Sequence, residues 1–204
     1  MKRHEHSLAP EDIIRTKVKA ELRKRLRGVR KTAPLEACQA RSALIVGRLS
    51  ELDVVRTALS AAFFWPIEAR HEVDLRALDA SMRTRGVRIA YPAIDPNTGE
   101  MQFRFVVDPA SMEEHGYGFQ EPSAECEIAT ALDVIFVPAV AVDSTGHRIG
   151  YGAGYYDRAL PRFASAASIA VAYDYQLIVE VPATEGDVRV GWIVTDARTL
   201  RAEV

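Results

Sequence analysis

Only two cysteines occur in the 204 residues, Cys38 and Cys126, far apart and in no CxxC or Cys/His spacing. That excludes a disulfide scaffold or a zinc module and points to a reducing compartment. Uncharged apolar runs are short. None approaches the roughly 18–20 residues a membrane span needs, so no transmembrane segment is expected. The opening residues, MKRHEHSLAPED, are charged and polar, with no apolar stretch behind them. A secretory signal is therefore not expected, and the cytoplasm is the expected compartment. Gly-x-Ser-x-Gly is absent, Ser144 has no convincing His/Asp pair, and His147 reads as a loop residue. No covalent nucleophile stands out. Low-complexity tracts, Ser/Gly linkers and internal repeats are missing too. Apolar residues nevertheless reach 48%, with 26% charged, which excludes disorder.

The net charge of −2 hides an asymmetry. Residues 1–31 hold eleven Lys/Arg against four acids, or +7, and the remainder holds fifteen against twenty-four, or −9. An anionic partner for the N-terminal segment is the natural reading. Pro10 followed by Glu11 and Asp12 suits a helix start. Ile14, Val18, Leu22 and Leu26 then predict a core-facing stripe, with Arg15, Lys19, Arg23 and Arg27 one residue further round. Like charges at i, i+4 cost roughly 0.2–0.5 kcal/mol each, about 1 kcal/mol over three steps. The stripe reads either as a solvated face or as a phosphate-binding one. Nucleic acid is disfavoured as the anion, because the rest of the chain is acidic and offers no aromatic-interleaved basic patch. Gly28 and the Thr-Ala-Pro at 32–34 are expected to end this helix. A second helix follows, with Leu35, Cys38, Leu44, Ile45, Leu49 and Leu52 on its apolar side.

Beyond this pair, strands and helices alternate. Strands are expected at 57–65, 87–94, 101–107 and 132–142, near 168–173, and finally at 188–195; helices are expected at 73–86 and from about Tyr155. The stretch 108–130 reads as loop. This pattern predicts an α/β protein of three layers, α/β/α, with a mostly parallel, Rossmann-like sheet on which the N-terminal helices pack.

The most informative stretch is FVPAVAVDSTGHRIGYGAGYYDRAL, residues 136–160. Gly150, Gly152 and Gly154 follow a buried strand and precede a helix. Glycines so spaced let backbone approach a ligand and take positive φ, and the N–H groups at the next helix start supply an anion site. The position at a strand's C-terminal end is where α/β sheets bind ligands. The pattern is neither a Walker loop nor a Rossmann fingerprint. Arg148 precedes it, and Tyr155, Tyr156, Asp157 and Arg158 follow. Taken singly, the tyrosines fit helix packing and the charged pair a solvated face. Together they suit a magnesium–nucleotide and a flat ligand, since Mg²⁺ needs only one or two carboxylates beside phosphate oxygens.

At these residues the chain resembles the 5-formyltetrahydrofolate cyclo-ligases (5,10-methenyltetrahydrofolate synthetases). GYGAGYYDR is the most specific part of the likeness. KAELRKRLRGVR (19–30), WPIEARHEVDL (65–75), GYGFQEP (116–122) and PATEGDVRVGWIVTD (182–196) resemble further family segments in the same order. The likeness covers about residues 15–196. It implies an ATP- and Mg²⁺-dependent ligase: ATP activates the formyl oxygen of 5-formyltetrahydrofolate, N10 attacks, and phosphate leaves as 5,10-methenyltetrahydrofolate forms. It further implies that Lys19 and Arg23 touch ATP phosphates, and that Arg148, Gly150, Tyr151, Gly152, Ala153, Gly154, Tyr155 and Tyr156 cradle the nucleotide. Residues 151–155 also face folate, with Trp65 as a pterin wall and Glu72 as the pterin acid. Arg148 and Tyr155 are the implied catalytic residues, and Asp157 and Asp187 the magnesium ligands. Read without the family, Glu72 is a helix N-terminal acid and Asp187 a turn residue.

Tyr151 and Ala153 stand where many members carry Arg and Gly or Lys. Gly186 precedes Asp187 where His or Asn is common, Ala139 replaces a usual Gly, and WPIEARHE is longer than the usual spacing to the acid. Some fourteen residues precede the basic helix, so 1–14 is expected as a loosely ordered extension of one domain spanning 1–204. The expected partners are small molecules, folate with or without a polyglutamate tail; a monomer is expected, with no nucleic acid and no membrane. The alternative is a nucleotide-binding regulatory module of the same fold without turnover.

Overall fold

The computed structural model describes residues 10–116 and 118–203. Helix α1, Pro10–Thr32, carries proline and two acids in its first turn and Arg30 and Lys31 in its last, both matched to the helix dipole. It runs straight through Gly28. Residues 10–14 are thus its first turn and a half; residues 1–9 lie outside the described ones. Helix α2 is Leu35–Glu51, and the single turn α3 is Asp53–Arg56. Strand β1 (Ser60–Ala62) leads through a 3-10 turn at Glu68–Arg70 to α4 (Arg76–Thr84), then β2 (Arg88–Ile94) and β3 (Met101–Phe105). The expected loop at 108–130 contains a small ladder of β4 (Glu113–Glu114) and β5 (Gln120–Glu121). The long apolar run splits into β6 (Val134–Pro138) and β7 (Ala141–Val142), the latter paired with β8 (Arg148–Ile149). Helix α5 (Tyr155–Ala159) tightens at once into a 3-10 turn at Leu160–Phe163, and β9 (Ala167–Val171) and β10 (Trp192–Val194) follow. The sequence pattern predicts no strand beyond 188–195, yet a further one, β11 (Thr199–Arg201), pairs antiparallel with β10.

Seven strands form one sheet in the order β11-β10-β9-β6-β1-β2-β3. The five central strands are parallel, and antiparallel β11 and β3 close the two edges. Side chains alternate between two cores, as strand geometry demands. Val134, Phe136, Ile169 and Val171 face one core with Ile45 and Leu49 of α2 and Leu78 and Met82 of α4. Ile135, Val137, Ala170 and Ala172 face the other, with Ala159, Leu160 and Phe163. The fold is therefore three-layer α/β/α, as expected. On α2 the buried face is Cys38, Ser42, Ile45 and Leu49, while Leu35 and Leu44, expected inside, are exposed.

Helix α1 departs from expectation. It lies beyond the carboxyl edge of the sheet, against the 68–70 turn and β7, rather than on a sheet face. Ile14 is 62% exposed and Val18 43%. Only Leu26, with Leu22 half-buried, meets an apolar cluster around Val140, Ile149 and Val181. A buried leucine contributes roughly 1.5–3 kcal/mol, so the apolar hold on this helix is small. The buried face is instead Lys19, Leu26 and Arg30, with Arg23 half-buried between them.

Candidate active site

The parallel strands end around a cleft of about 390 Å³, within the range of small-molecule sites. Phe64 and Trp65 come from the end of β1, Pro92 and Ile94 from β2, Pro138 from β6, and Lys19 and Arg23 from α1. The loop from Arg148 to Asp157 forms one wall, and Glu72, Thr184 and Asp187 complete the rim. Every residue singled out for binding or catalysis lines this one cleft, Lys19 and Asp187 included although 168 positions separate them. Among the residues that sequence reasoning missed are Arg70, Thr184 and the apolar floor of Ile67, Ile94, Met101 and Phe119.

The glycine loop is held by α1. Arg23 donates from Nε to the Gly150 carbonyl at 2.7 Å, and its guanidinium lies beneath Gly152, where a Cβ would sit 3.6 Å from Cζ. Gly152 has φ +109° and Gly154 φ +67°. Burial, then Arg27, lowers the pKa of Arg23 from its ordinary value. Because α5 has only five residues, its dipole adds little positive potential to this wall, and the positive charge beside the loop comes from Lys19 and Arg23 of α1.

Two carboxylates flank the loop. Asp157 accepts at Oδ1 from Arg148 at 3.0 Å and from the Val188 N–H at 3.1 Å. Arg148, 7% exposed, also donates to the Val188 carbonyl. Asp187 accepts at Oδ2 from Lys19 and from Thr184 N and Oγ1. Burial raises the Asp187 carboxyl, but the Lys19 ammonium and the Thr184 N–H outweigh it and leave the group below the usual carboxylate range. Asp187 is therefore a turn residue as well as a cleft residue. No cluster of three metal-ligating side chains exists among the described residues. Both aspartates line the cleft, and each bonds through one oxygen among these contacts, a donor set that fits Mg²⁺ completed by phosphate oxygens.

Glu72 is not a helix cap. Its Oε2 accepts the Ile67 N–H at 3.0 Å, and its Oε1 accepts the Tyr151 hydroxyl. The α4 N-terminus is served instead by Asp74, which accepts the Arg76 N–H at 2.9 Å. Arg30 donates to the Tyr151 oxygen and stands 3.6 Å from Glu72 Oε1; the Arg30 and Glu72 side chains are each 4% exposed. Arg30 belongs to the stripe of 19, 23, 26 and 30, a spacing that could have revealed it. Burial, then the Glu72 charge, pushes the Tyr151 hydroxyl up to about 12. Burial likewise raises that of Tyr156, whose hydroxyl has no hydrogen-bond partner among the described residues. Trp65 stands edge-on to Tyr91, with ring centroids 5.8 Å apart, and Tyr155 has Arg158 over its ring at 5.4 Å. Ala153 accepts from Arg158 through its carbonyl at 2.9 Å.

A second cleft of about 400 Å³ shares Arg23 and Arg70 with the first and is lined also by Lys24, Arg27, Arg30 and Lys31, with no acid. Among the described residues no helix is long and apolar enough to cross a membrane.

An open, mostly parallel α/β sheet with a glycine loop, cations and two acids around a cleft at its carboxyl edge belongs to the class of α/β proteins that bind small ligands at that edge. The model of the 5-formyltetrahydrofolate cyclo-ligase family matches residues 15–196, and the chain belongs to that family, a family of ligases. A 5-formyltetrahydrofolate cyclo-ligase of Haemophilus influenzae is 26% identical over 183 residues, covering 86% of this chain and 96% of that one. Another, from Mycolicibacterium smegmatis, is 40% identical over 98 residues, half of that protein's length and 46% of this chain. The solved 5,10-methenyltetrahydrofolate synthetase of Aquifex aeolicus superposes with a TM-score of 0.80 at 30% identity, over 92% of this chain and 94% of that one. That of Mycoplasma pneumoniae, at 22% identity and a TM-score of 0.70, shares the fold.

Proposed function

We propose that this protein closes 5-formyltetrahydrofolate to 5,10-methenyltetrahydrofolate at the expense of ATP, releasing ADP and phosphate in a Mg²⁺-dependent reaction. The observation that carries the reading is the convergence of the α1 cations, the glycine loop, two aspartates and Glu72 on one cleft. Lys19 and Arg23 bind ATP phosphates from one helix face, and residues 150–156 cradle the nucleotide. Asp157 and Asp187 hold Mg²⁺, which when bound neutralises phosphate charge. Arg148 fixes Asp157 and adds positive charge beside the reacting phosphate, and the Tyr155 ring forms the wall shared with folate. Glu72 accepts two N–H donors of the pterin edge, and Trp65 flanks the ring. With no covalent nucleophile needed, positioning and charge neutralisation carry the rate.

The acid-free second cleft suits the carboxylates of a polyglutamate tail. The whole chain acts as one domain and a monomer in the cytoplasm, with small molecules as partners. Lys19 and Arg23 of the basic stripe line the cleft rather than facing outward, which supports nucleotide over nucleic acid. Incubation with MgATP and 5-formyltetrahydrofolate, followed by methenyl absorbance, tests the reading. Failure to form product beside an active control enzyme would favour the nucleotide-binding regulatory module.

A further inference from the structure

We propose that Tyr151 is a latch between the two substrate sites: its hydroxyl occupies Glu72 in the free protein, and nucleotide arriving at the glycine loop withdraws it, so that nucleotide binds first and folate second. The inference rests on the reading of Glu72 as the pterin acid.

Tyr151 belongs by sequence to the nucleotide loop, between Gly150 and Gly152, yet its hydroxyl bonds to a carboxylate 79 positions away. The same hydroxyl accepts from Arg30, and the Arg27, Arg30 and Arg70 guanidinium carbons lie 5.6, 5.7 and 4.8 Å from its ring centroid. With Oε2 on the Ile67 N–H and Oε1 on Tyr151, both Glu72 oxygens are engaged before any ligand arrives. A pterin edge that needs two acceptors meets a carboxylate already in use.

The release follows from the bond that holds the loop. Arg23 donates to the Gly150 carbonyl, one residue before Tyr151. A phosphate is a stronger acceptor for a guanidinium than a neutral carbonyl. Nucleotide therefore takes Arg23 from Gly150, and the neighbouring glycines, already at positive φ, let the loop reorient. Glu72 does not lose its counter-charge when Tyr151 leaves. Arg30 already stands 3.6 Å from Oε1, and its Nε is buried without a partner among the described residues. Oε1 then becomes free, and Oε2, which holds only the Ile67 N–H, keeps a lone pair for a second donor. Tyr151 is in this scheme a positioning residue.

The test measures 5-formyltetrahydrofolate affinity with and without a non-hydrolysable MgATP analogue. In the unaltered protein the analogue should tighten folate binding about 10-fold, within the usual span of coupling between sites, and folate should tighten the analogue equally. Tyr151→Phe, which loses only the hydroxyl, should bind folate without nucleotide as tightly as the unaltered protein does with it, and the analogue should then add less than about 2-fold. If Tyr151→Phe binds folate no more tightly than the unaltered protein in the absence of nucleotide, the latch is refuted. Absence of mutual tightening in the unaltered protein refutes it equally, with no variant involved. Glu72→Gln separates the two levels: weakened folate binding there beside an inert Tyr151→Phe removes the latch alone, whereas normal folate binding removes the pterin assignment and the latch with it.

Discussion

Glu72 accepts from Ile67 and Tyr151 and takes no part in the start of α4, which Asp74 serves. Glu72→Gln replaces one acceptor by a donor and sets donor against donor at the pterin edge. The expected cost is about 2–4 kcal/mol, roughly 30- to 1000-fold in kcat/KM for folate, with the KM for ATP unchanged. Thermal stability should fall too, because Arg30 loses its buried counter-ion. A destabilised enzyme with normal folate kinetics would overturn the assignment, and Glu68 would be the next acid to examine. Gly152 gives a complementary case. Its φ of +109° is closed to a β-branched residue, but the loop carries little core. Gly152→Val should abolish nucleotide binding by calorimetry while the melting temperature stays near that of the unaltered protein. Normal nucleotide binding would reduce the loop to a surface turn. The glycines were legible from spacing alone. The partner of Glu72 was not, because Tyr151 meets it only across the folded cleft.

Helix α1 inverts the ordinary logic of an amphipathic element. Its apolar residues Ile14 and Val18 face solvent, while Lys19, Arg23 and Arg30 face the protein. Loss of one charge-assisted hydrogen bond costs about 1.5–3 kcal/mol, so Lys19→Ala and Arg23→Ala should each raise the KM for ATP roughly 10- to 150-fold. Unchanged ATP dependence in both would return the stripe to a solvated role. The Lys19–Asp187 tie also carries a pH signature. The folded Asp187 carboxyl lies below its unfolded value of about 3.9. Its contribution to stability is therefore complete above about pH 5 and is lost as pH falls through the carboxylate range past the depressed folded value. The gap in melting temperature between the unaltered protein and Asp187→Asn should shrink between pH 6 and pH 2.5; a gap independent of pH would show that Lys19 does not stabilise the ionised form. Periodicity located the helix and both its stripes, but could not say which stripe turns inward. A four-residue repeat of leucine-like residues normally buries. Here the cleft offers Asp187, the Gly150 carbonyl and Tyr151 to the neighbouring face, and those contacts offset the burial of charge.

The whole molecule brings segments near 20, 70, 150 and 185 together where five parallel strands end, so ligand binding should stabilise the entire fold. Saturation with MgATP at about 100 times its Kd adds roughly 2.7 kcal/mol, equivalent to about 5–10 °C in melting temperature for a chain of this length. Chelation of Mg²⁺ should shrink the shift, since Asp157 and Asp187 then face an unneutralised triphosphate. No shift with nucleotide at any concentration would remove ATP from the cleft. Local covalent and steric facts in the sequence determined much of this arrangement. The continuous apolar run at 132–142 marked a central strand buried on both faces, and the glycine spacing marked the loop, since each depends on neighbouring residues alone. Strand β11, the exposure of Ile14 and Val18, the Lys19–Asp187 pair and the Tyr151–Glu72 bond were decided only by tertiary structure. Each depends on which distant groups meet, and a charge or hydroxyl is buried only where a partner from another segment offsets its lost hydration.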